Sequence, residues 1–343
     1  LSRERDSLTS AAKAALIIAT QWGTFMLKKS LKTMLGLGLL LAVTLSLLVT
    51  FDLPRPQVVA KYANQASVFK TLPSGAVAHI RDQGQRDGPV ILLIHGSNAS
   101  LHTWEPWVQQ LGDSFRLISI DLPGHGLTGA TPEADYGVDA MSRFVKQIVD
   151  ALDLGQVTLA GNSMGGSVSL KFALDYPQHT KALILVSSSG MSRKADEQSV
   201  GAFKLVGTDA GRLAMRYITP RFLVGWTLRG SVRDPDTFIT DAMVDRYWEL
   251  LLMEGSRQAS SQRFANYANR QALEPRLPSL DVPALLLWGE HDRLIPLDAG
   301  QRMTQAIANS QLITYPQAGH LAHEELPAQT AADVRGFMRG VVR

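Results

Sequence analysis

Residues 157–166 read Val-Thr-Leu-Ala-Gly-Asn-Ser-Met-Gly-Gly, an apolar run that passes directly into a serine flanked by glycines. This is the sequence form of a buried strand ending in a nucleophile elbow, the sharp strand-to-helix turn that lifts a serine out of a sheet. Gly161 and Gly165 stand two residues on either side of Ser163, where a Cβ would crowd so tight a backbone. A serine hydroxyl is a weak nucleophile by itself. The stretch therefore makes chemical sense only if the chain also supplies a histidine base and a carboxylate to orient that base. In a chain of this length and glycine and serine content about 0.2 matches to G-x-S-x-G arise by chance, so the surroundings decide.

Working outward, residues 89–94 (PVILLI) form a continuous apolar run of the kind expected for a strand covered on both faces, and the run stops at His95, Gly96, Ser97 and Asn98. Residues 284–288 (ALLLW) form a second such run, followed by Gly289, Glu290, His291 and Asp292. Residues 311–315 read as a last strand that delivers Ala318, Gly319 and His320 on the following loop. Serine, acid and histidine thus occur in the order Ser163, Asp292, His320. Glu290 competes with Asp292 for the acid and His323 with His320 for the base. Asp281 reads as a turn residue and Asp298 as a helix-start residue. The place after the strand that follows the elbow helix holds Ser187, Ser188 and Ser189, with no acid. His125, inside Asp121-Leu-Pro-Gly-His-Gly-Leu-Thr128, sits in a turn and is read as structural or surface. His291 is read as a solvated loop residue. His79 and His102 have no motif around them and receive no role.

Taken in sequence, H-G-S-N, D-L-P-G-H-G, G-N-S-M-G-G, W-G-E-H-D and A-G-H make the chain from about Phe69 to its end resemble the α/β-hydrolase superfamily. The motifs are most similar to those of the esterases and lipases of the fifth bacterial lipolytic family, and nearly as similar to those of the carbon–carbon bond hydrolases of aromatic degradation. Dehalogenases and epoxide hydrolases of this fold carry aspartate on the elbow, so Ser163 argues against both. The resemblance implies catalysis by Ser163, His320 and Asp292, with His320 preferred to His323 because it directly follows a glycine. It implies an acyl-enzyme at Ser163 and an oxyanion hole formed by the backbone N–H groups of Ser97 and Met164. It calls for no metal and no organic cofactor, and the absence of cysteine removes thiolate sites and a cysteine nucleophile. The expected substrate is a small ester of short or medium acyl chain. The alternatives are a meta-cleavage-product C–C hydrolase and, in a different class, a non-catalytic binding protein on the same fold.

Strands alternate with helical patterns. Residues 138–152, for example, place Met141, Phe144, Val145, Ile148, Val149 and Leu152 at helical spacing, which predicts an α/β fold with a mostly parallel sheet. Between the strand at 182–186 and the one starting at Ala284 lie nearly a hundred residues with helical patterns, so 191–278 is read as a helical cap inserted between core segments 69–190 and 279–343. Phe203, Met215, Tyr217, Phe222, Trp226, Met243, Tyr247, Trp248 and Met253 are read as packing within that cap.

The N-terminus differs in kind. Residues 33–51 (TMLGLGLLLAVTLSLLVTF) are uncharged and largely apolar, about 28 Å of helix, long enough for a bilayer core. Lys28, Lys29 and Lys32 stand just before them, so the positive-inside rule predicts a cytoplasmic leader (1–32), a single-pass inner-membrane signal-anchor, a linker (52–68) and a periplasmic catalytic domain. Secretion after cleavage is the alternative, with Val58-x-Ala60 as the tolerable site. Residues 1–25 precede Met26 and are read as an upstream extension. Residues 1–34 hold six basic and two acidic side chains, a net of +4, which leaves the remaining 309 at −1 of the total +3. The basic balance belongs to the leader, and nothing in the rest predicts nucleic-acid binding. Oligomeric state is not legible.

Overall fold

A computed structural model describes residues 48–192, 208–265 and 273–341 without interruption, together with 13, 19–22, 26, 28–40, 43 and 46. The chain divides into two units, Leu1–Val49 and Thr50–Arg343. In the first, residues 28–40 are helical, and Met34, Leu35, Leu37, Leu39 and Leu40 are exposed. Among the described residues no helix is long and apolar enough to cross a membrane. The expected span 33–51 includes residues 41, 42, 44, 45 and 47, which lie outside the described residues, as does most of the 1–25 extension.

The second unit is built on one eight-stranded sheet: β1 (Ser67–Thr71), β2 (Val77–Gly84), β3 (Val90–Ile94), β4 (Arg116–Ile120), β5 (Val157–Asn162), β6 (Thr180–Val186), β7 (Ala284–Gly289) and β8 (Ser310–Tyr315). The spatial order is β1-β2-β4-β3-β5-β6-β7-β8. β1 with β2 and β2 with β4 are antiparallel; every later pair is parallel. The expectation of an α/β fold with a mostly parallel sheet is met. The central strands read as unbroken apolar runs because both faces are covered. On one face the helices Val138–Ala151, Met164–Asp175 and Leu297–Ala306 pack onto Leu92, Ile118, Leu159, Leu183 and Leu286. On the other, Glu105–Leu111 and Pro327–Val341 cover Ile91, Leu93, Ala160, Ile184 and Leu285. Each such buried aliphatic side chain contributes about 2 kcal/mol of transfer free energy. Ile94 pairs with Gly161 and Asn162 with Val186, so β3, β5 and β6 end together, and their loops meet at the carboxyl edge where α/β sheets place ligands.

Between β6 and β7 lie the helices Asp209–Tyr217, Arg221–Arg229, Pro235–Phe238, Asp241–Leu252 and Ser256–Ala265. Thr208 and Thr240 start two of them by accepting hydrogen bonds from Gly211 N (3.0 Å) and Met243 N (3.2 Å). The packing expected of this segment holds for Met243 and Met253, both buried. It is corrected at Tyr217, Phe222 and Trp226, which are 51%, 69% and 56% exposed, because the first two helices bury other positions, Gly211, Gly225 and Leu228. Phe203 lies outside the described residues.

The stretch before β1 is strapped to this insertion. Thr50 N donates to Tyr217 O (2.9 Å), and Leu53 N donates to Leu252 O (2.8 Å). Leu53 forms a bridge with Met253, and Arg257 pairs with Asp52 (2.6 Å). Arg55 reaches the Leu127 carbonyl (2.6 Å), and the helix Arg55–Tyr62 buries Val58 against Leu127, Leu250 and Met253.

Candidate active site

Ser163 begins the helix Met164–Asp175 with φ +54° and ψ −118°, a conformation that a non-glycine residue adopts only where its surroundings hold it. They do. Ser163 N donates to Val186 O, and Ser163 O accepts from Gly166 N, Ser189 N and Ser189 Oγ, all at 3.0 Å. A Cβ on Gly161 would strike the Gly165 carbonyl, and one on Gly165 would strike the carbonyls of Ile94 and His95. The two glycines let the elbow close and let its helix sit over the end of β3. Among the described residues Ser163 Oγ makes no hydrogen bond.

Asp292 follows β7 and His320 follows β8, and the structure brings them together: Asp292 Oδ2 lies 2.7 Å from His320 Nδ1, both side chains buried. Asp292 Oδ1 accepts from Leu294 N (2.8 Å) and Ile295 N (2.9 Å), so one oxygen is fixed by backbone and the other left for the ring. This arrangement holds the proton on Nδ1 and leaves Nε2 as the basic nitrogen. Asn162, the residue before the serine, donates to His320 O (3.2 Å) and Val186 O (3.1 Å), tying the histidine loop to the elbow. From the inserted helices, Ser231 O accepts from His320 N at 2.7 Å.

The rivals sit elsewhere. Glu290 is exposed and accepts from Thr314 Oγ1 (2.9 Å). His323 is buried against the Trp104 ring, centroids 4.4 Å apart, and burial drives its basicity down to about 3. Its Nε2 meets Thr103 Oγ1 at 2.9 Å, and the same hydroxyl bonds Glu324 Oε1. Burial raises the Glu324 carboxyl to about 7, against the hydrogen bond from Thr103 and the charge of Arg246. Asp298 pairs with Arg302 (2.9 Å) within its helix.

The loop after β3 abuts the elbow, since a Cβ on Gly96 would stand 3.1 Å from Ser163 Cβ. Ser97, in that loop, and Met164, at the start of the elbow helix, therefore both lie beside the point where the loop meets Ser163. His95 is a structural peg whose Nδ1 faces Gly96 O (2.7 Å) and whose Nε2 accepts from Leu122 N (3.0 Å). Asn98 takes φ +58°.

Two features escaped the sequence reading. Arg263 is 3% exposed on the helix Ser256–Ala265 and reaches Ser97, Asn98 and Met164. The second is another serine–histidine–aspartate relay: Ser67 Oγ is 2.9 Å from His79 Nε2, and His79 Nδ1 is 2.6 Å from Asp121 Oδ2. Here the serine oxygen already accepts from Asn64 N (3.1 Å) and Arg81 Nε (3.3 Å), so both lone pairs are engaged and none is left for attack. Asp121 also accepts from Leu101 N (2.7 Å) and Leu127 N (2.8 Å), which makes this relay a clamp on two loops. Among the described residues no group of acids and histidines could hold a metal ion.

A serine on a strained strand-to-helix elbow, beside a buried aspartate–histidine pair at the carboxyl edge of a mostly parallel sheet, defines an α/β-fold hydrolase. Residues 89–327 match the alpha/beta hydrolase fold family, and the chain belongs to that family. It is 30% identical over 280 residues to the 2-hydroxy-6-oxononadienedioate/2-hydroxy-6-oxononatrienedioate hydrolase of Escherichia coli O139:H28, covering 78% of this chain and 91% of that protein. Among solved structures, a thermophilic esterase from Thermogutta terrifontis is similar with a TM-score of 0.68 at 24% identity, covering 81% of this chain and 99% of the esterase. A membrane phospholipase A described as a bacterial virulence factor is similar with a TM-score of 0.71 at 24% identity, covering 91% of this chain and 99% of that one. At that identity both likenesses speak for the fold alone.

Proposed function

We propose that the protein is a serine hydrolase that cleaves carboxylic esters of short to medium acyl chain through an acyl-enzyme on Ser163. The observation that carries the reading is the Asp292–His320 pair, fastened through Asn162 to the elbow that presents Ser163. His320 Nε2 takes the serine proton as Oγ attacks the ester carbonyl, and the N–H groups of Ser97 and Met164 receive the developing oxyanion. The proton passes to the leaving alcohol, and water then repeats the cycle on the acyl-enzyme. Among the described residues Ser163 Oγ and His320 share no hydrogen bond, and a catalytic hydrogen bond of this kind tightens as the transition state forms. The test is hydrolysis of p-nitrophenyl esters of graded acyl length. Ser163→Ala and His320→Ala are each expected to lower kcat by about 10⁴-fold or more with the fold retained. Full activity in either variant refutes the assignment.

A second reading is favoured by the Escherichia coli relative: the same three residues would cleave a carbon–carbon bond in a vinylogous diketone. A folded wild type inert toward every ester yet active on a 2-hydroxy-6-oxodienoate would decide for it.

We also propose that residues 33–51 anchor the protein in the inner membrane, with the catalytic domain periplasmic. The exposed apolar side chains at 34–40 and the lysines at 28, 29 and 32 support this reading. The catalytic domain should resist carbonate extraction from membranes and be cut by protease added to spheroplasts; release by carbonate, or protection from the protease, refutes it.

A further inference from the structure

We propose that Arg263 is a positioning residue that assembles the oxyanion hole from the cap. Resting on the serine-hydrolase reading, this inference assigns a role to a buried cation in the inserted helix Ser256–Ala265. Arg263 Nη1 donates to Ser97 Oγ and lies 3.6 Å from Met164 Sδ. Its Nη2 donates to Asn98 Oδ1 (2.6 Å) and to Ser260 Oγ (3.0 Å), while Ser260 Oγ donates to Asn98 Oδ1 (3.1 Å). The guanidinium stacks on Phe264, its central carbon 4.5 Å from the ring centroid. One side chain therefore touches both residues whose amides are proposed to bind the oxyanion, and it reaches them from a helix that begins more than ninety residues after the elbow.

The physical consequence is twofold. Ser97 and Asn98 form a short loop in which Asn98 occupies the left-handed region, a conformation that needs fixing if the Ser97 N–H is to keep one direction. The planar fork of arginine supplies two hydrogen bonds in fixed geometry to adjacent residues, which a lysine point charge cannot reproduce. Its buried positive charge also favours negative charge accumulating nearby, and an oxyanion develops only in the transition state. The proposed hole therefore depends on the helix Ser256–Ala265, which holds Arg263 against Ser97, Asn98 and Met164.

The test uses full-length protein and p-nitrophenyl esters. Arg263→Met should lower kcat by about 10- to 100-fold with KM changed less than about threefold, because the lost interaction acts on the transition state. Arg263→Lys should recover part of kcat through its charge. Ser97→Ala keeps the backbone N–H but loses the contact with Arg263. It should lower kcat less than Arg263→Met does, and adding it to Arg263→Met should lower kcat little further. If Arg263→Met misfolds, Ser97→Ala and Arg263→Lys still carry the test, since a tetrahedral boronic-acid inhibitor should bind both more weakly in proportion to kcat. Wild-type kcat in Arg263→Met, a loss confined to KM, or multiplying losses in the double variant overturns the proposal. An active wild type with any of these results overturns it alone; a wild type with no Ser163-dependent turnover of any ester overturns the ester reading beneath it as well.

Discussion

Glu324→Gln should change how stability depends on pH, and the size of the change can be worked out from its burial. The carboxyl is enclosed beside Thr103 and His323, and burial lifts it from an ordinary 4.5 to about 7. The folded state thus prefers the protonated acid. Its contribution is fully present below pH 4.5 and is lost as pH rises through 7, when a charge must form away from water. The interval between the two values converts to about 3 kcal/mol at 1.36 kcal/mol per pH unit. Glutamine keeps the shape and an acceptor oxygen for the Thr103 hydroxyl but cannot ionise. Urea unfolding of both proteins at pH 4.5, 6, 7 and 8 should therefore show the variant gaining on the wild type by up to about 3 kcal/mol across that range. Subtracting one profile from the other removes every titration they share. Parallel profiles, or a gain toward acid pH, would refute the reasoning.

Asp121→Asn should cost about 3 kcal/mol at pH 7, since it breaks a buried pair and turns an amide donor toward groups that already donate. Burial pushes the Asp121 carboxyl up, but the hydrogen bond from His79 and the nearby histidines hold it below the ordinary 3.8, so the cost should shrink as pH falls below about 4, read by urea unfolding. Gly165→Ala should cost about 3 kcal/mol and abolish turnover, because the new Cβ meets the Ile94 and His95 carbonyls; a wild-type Tm with full activity would contradict this. Asp292→Asn should lower kcat by about 10⁴-fold while Glu290→Gln changes it by no more than about twofold, and the opposite ranking would exchange their roles.

The parallel part of the sheet was legible where its strands are buried, apolar on both faces and followed by a glycine-containing loop, so residues 89–94 and 284–288 fall within a residue of β3 and β7, and 311–315 within a residue of the more exposed β8. The elbow was legible for a related reason: its backbone demands glycine at fixed offsets. The antiparallel β1 and β2 were not, because β2 carries His79, Arg81 and Asp82, whose partners Asp121, Glu105 and Arg116 lie 24 to 42 residues away. Asp292 and His320 could be named from chain order, but their contact could not. Arg257 and Arg263 left no trace, since the helix that bears them lacks an apolar stripe and reads as a solvated face. Their burial depends on Asp52, Ser97 and Asn98, more than 160 residues earlier in the chain.

The strap at Thr50–Gln57 bears on any shortened form of this protein. By its sequence that stretch is a tether, and on that reading a cut at Val58 discards only slack. In the fold, the same cut removes Asp52 from Arg257, Leu53 from its bridge with Met253 and Arg55 from the Leu127 carbonyl. Two fragments differing by eight residues at their start are then expected to part company on heating, the one beginning at Thr50 holding its activity while the one beginning at Val58 loses it first. What passes for leash is a buckle.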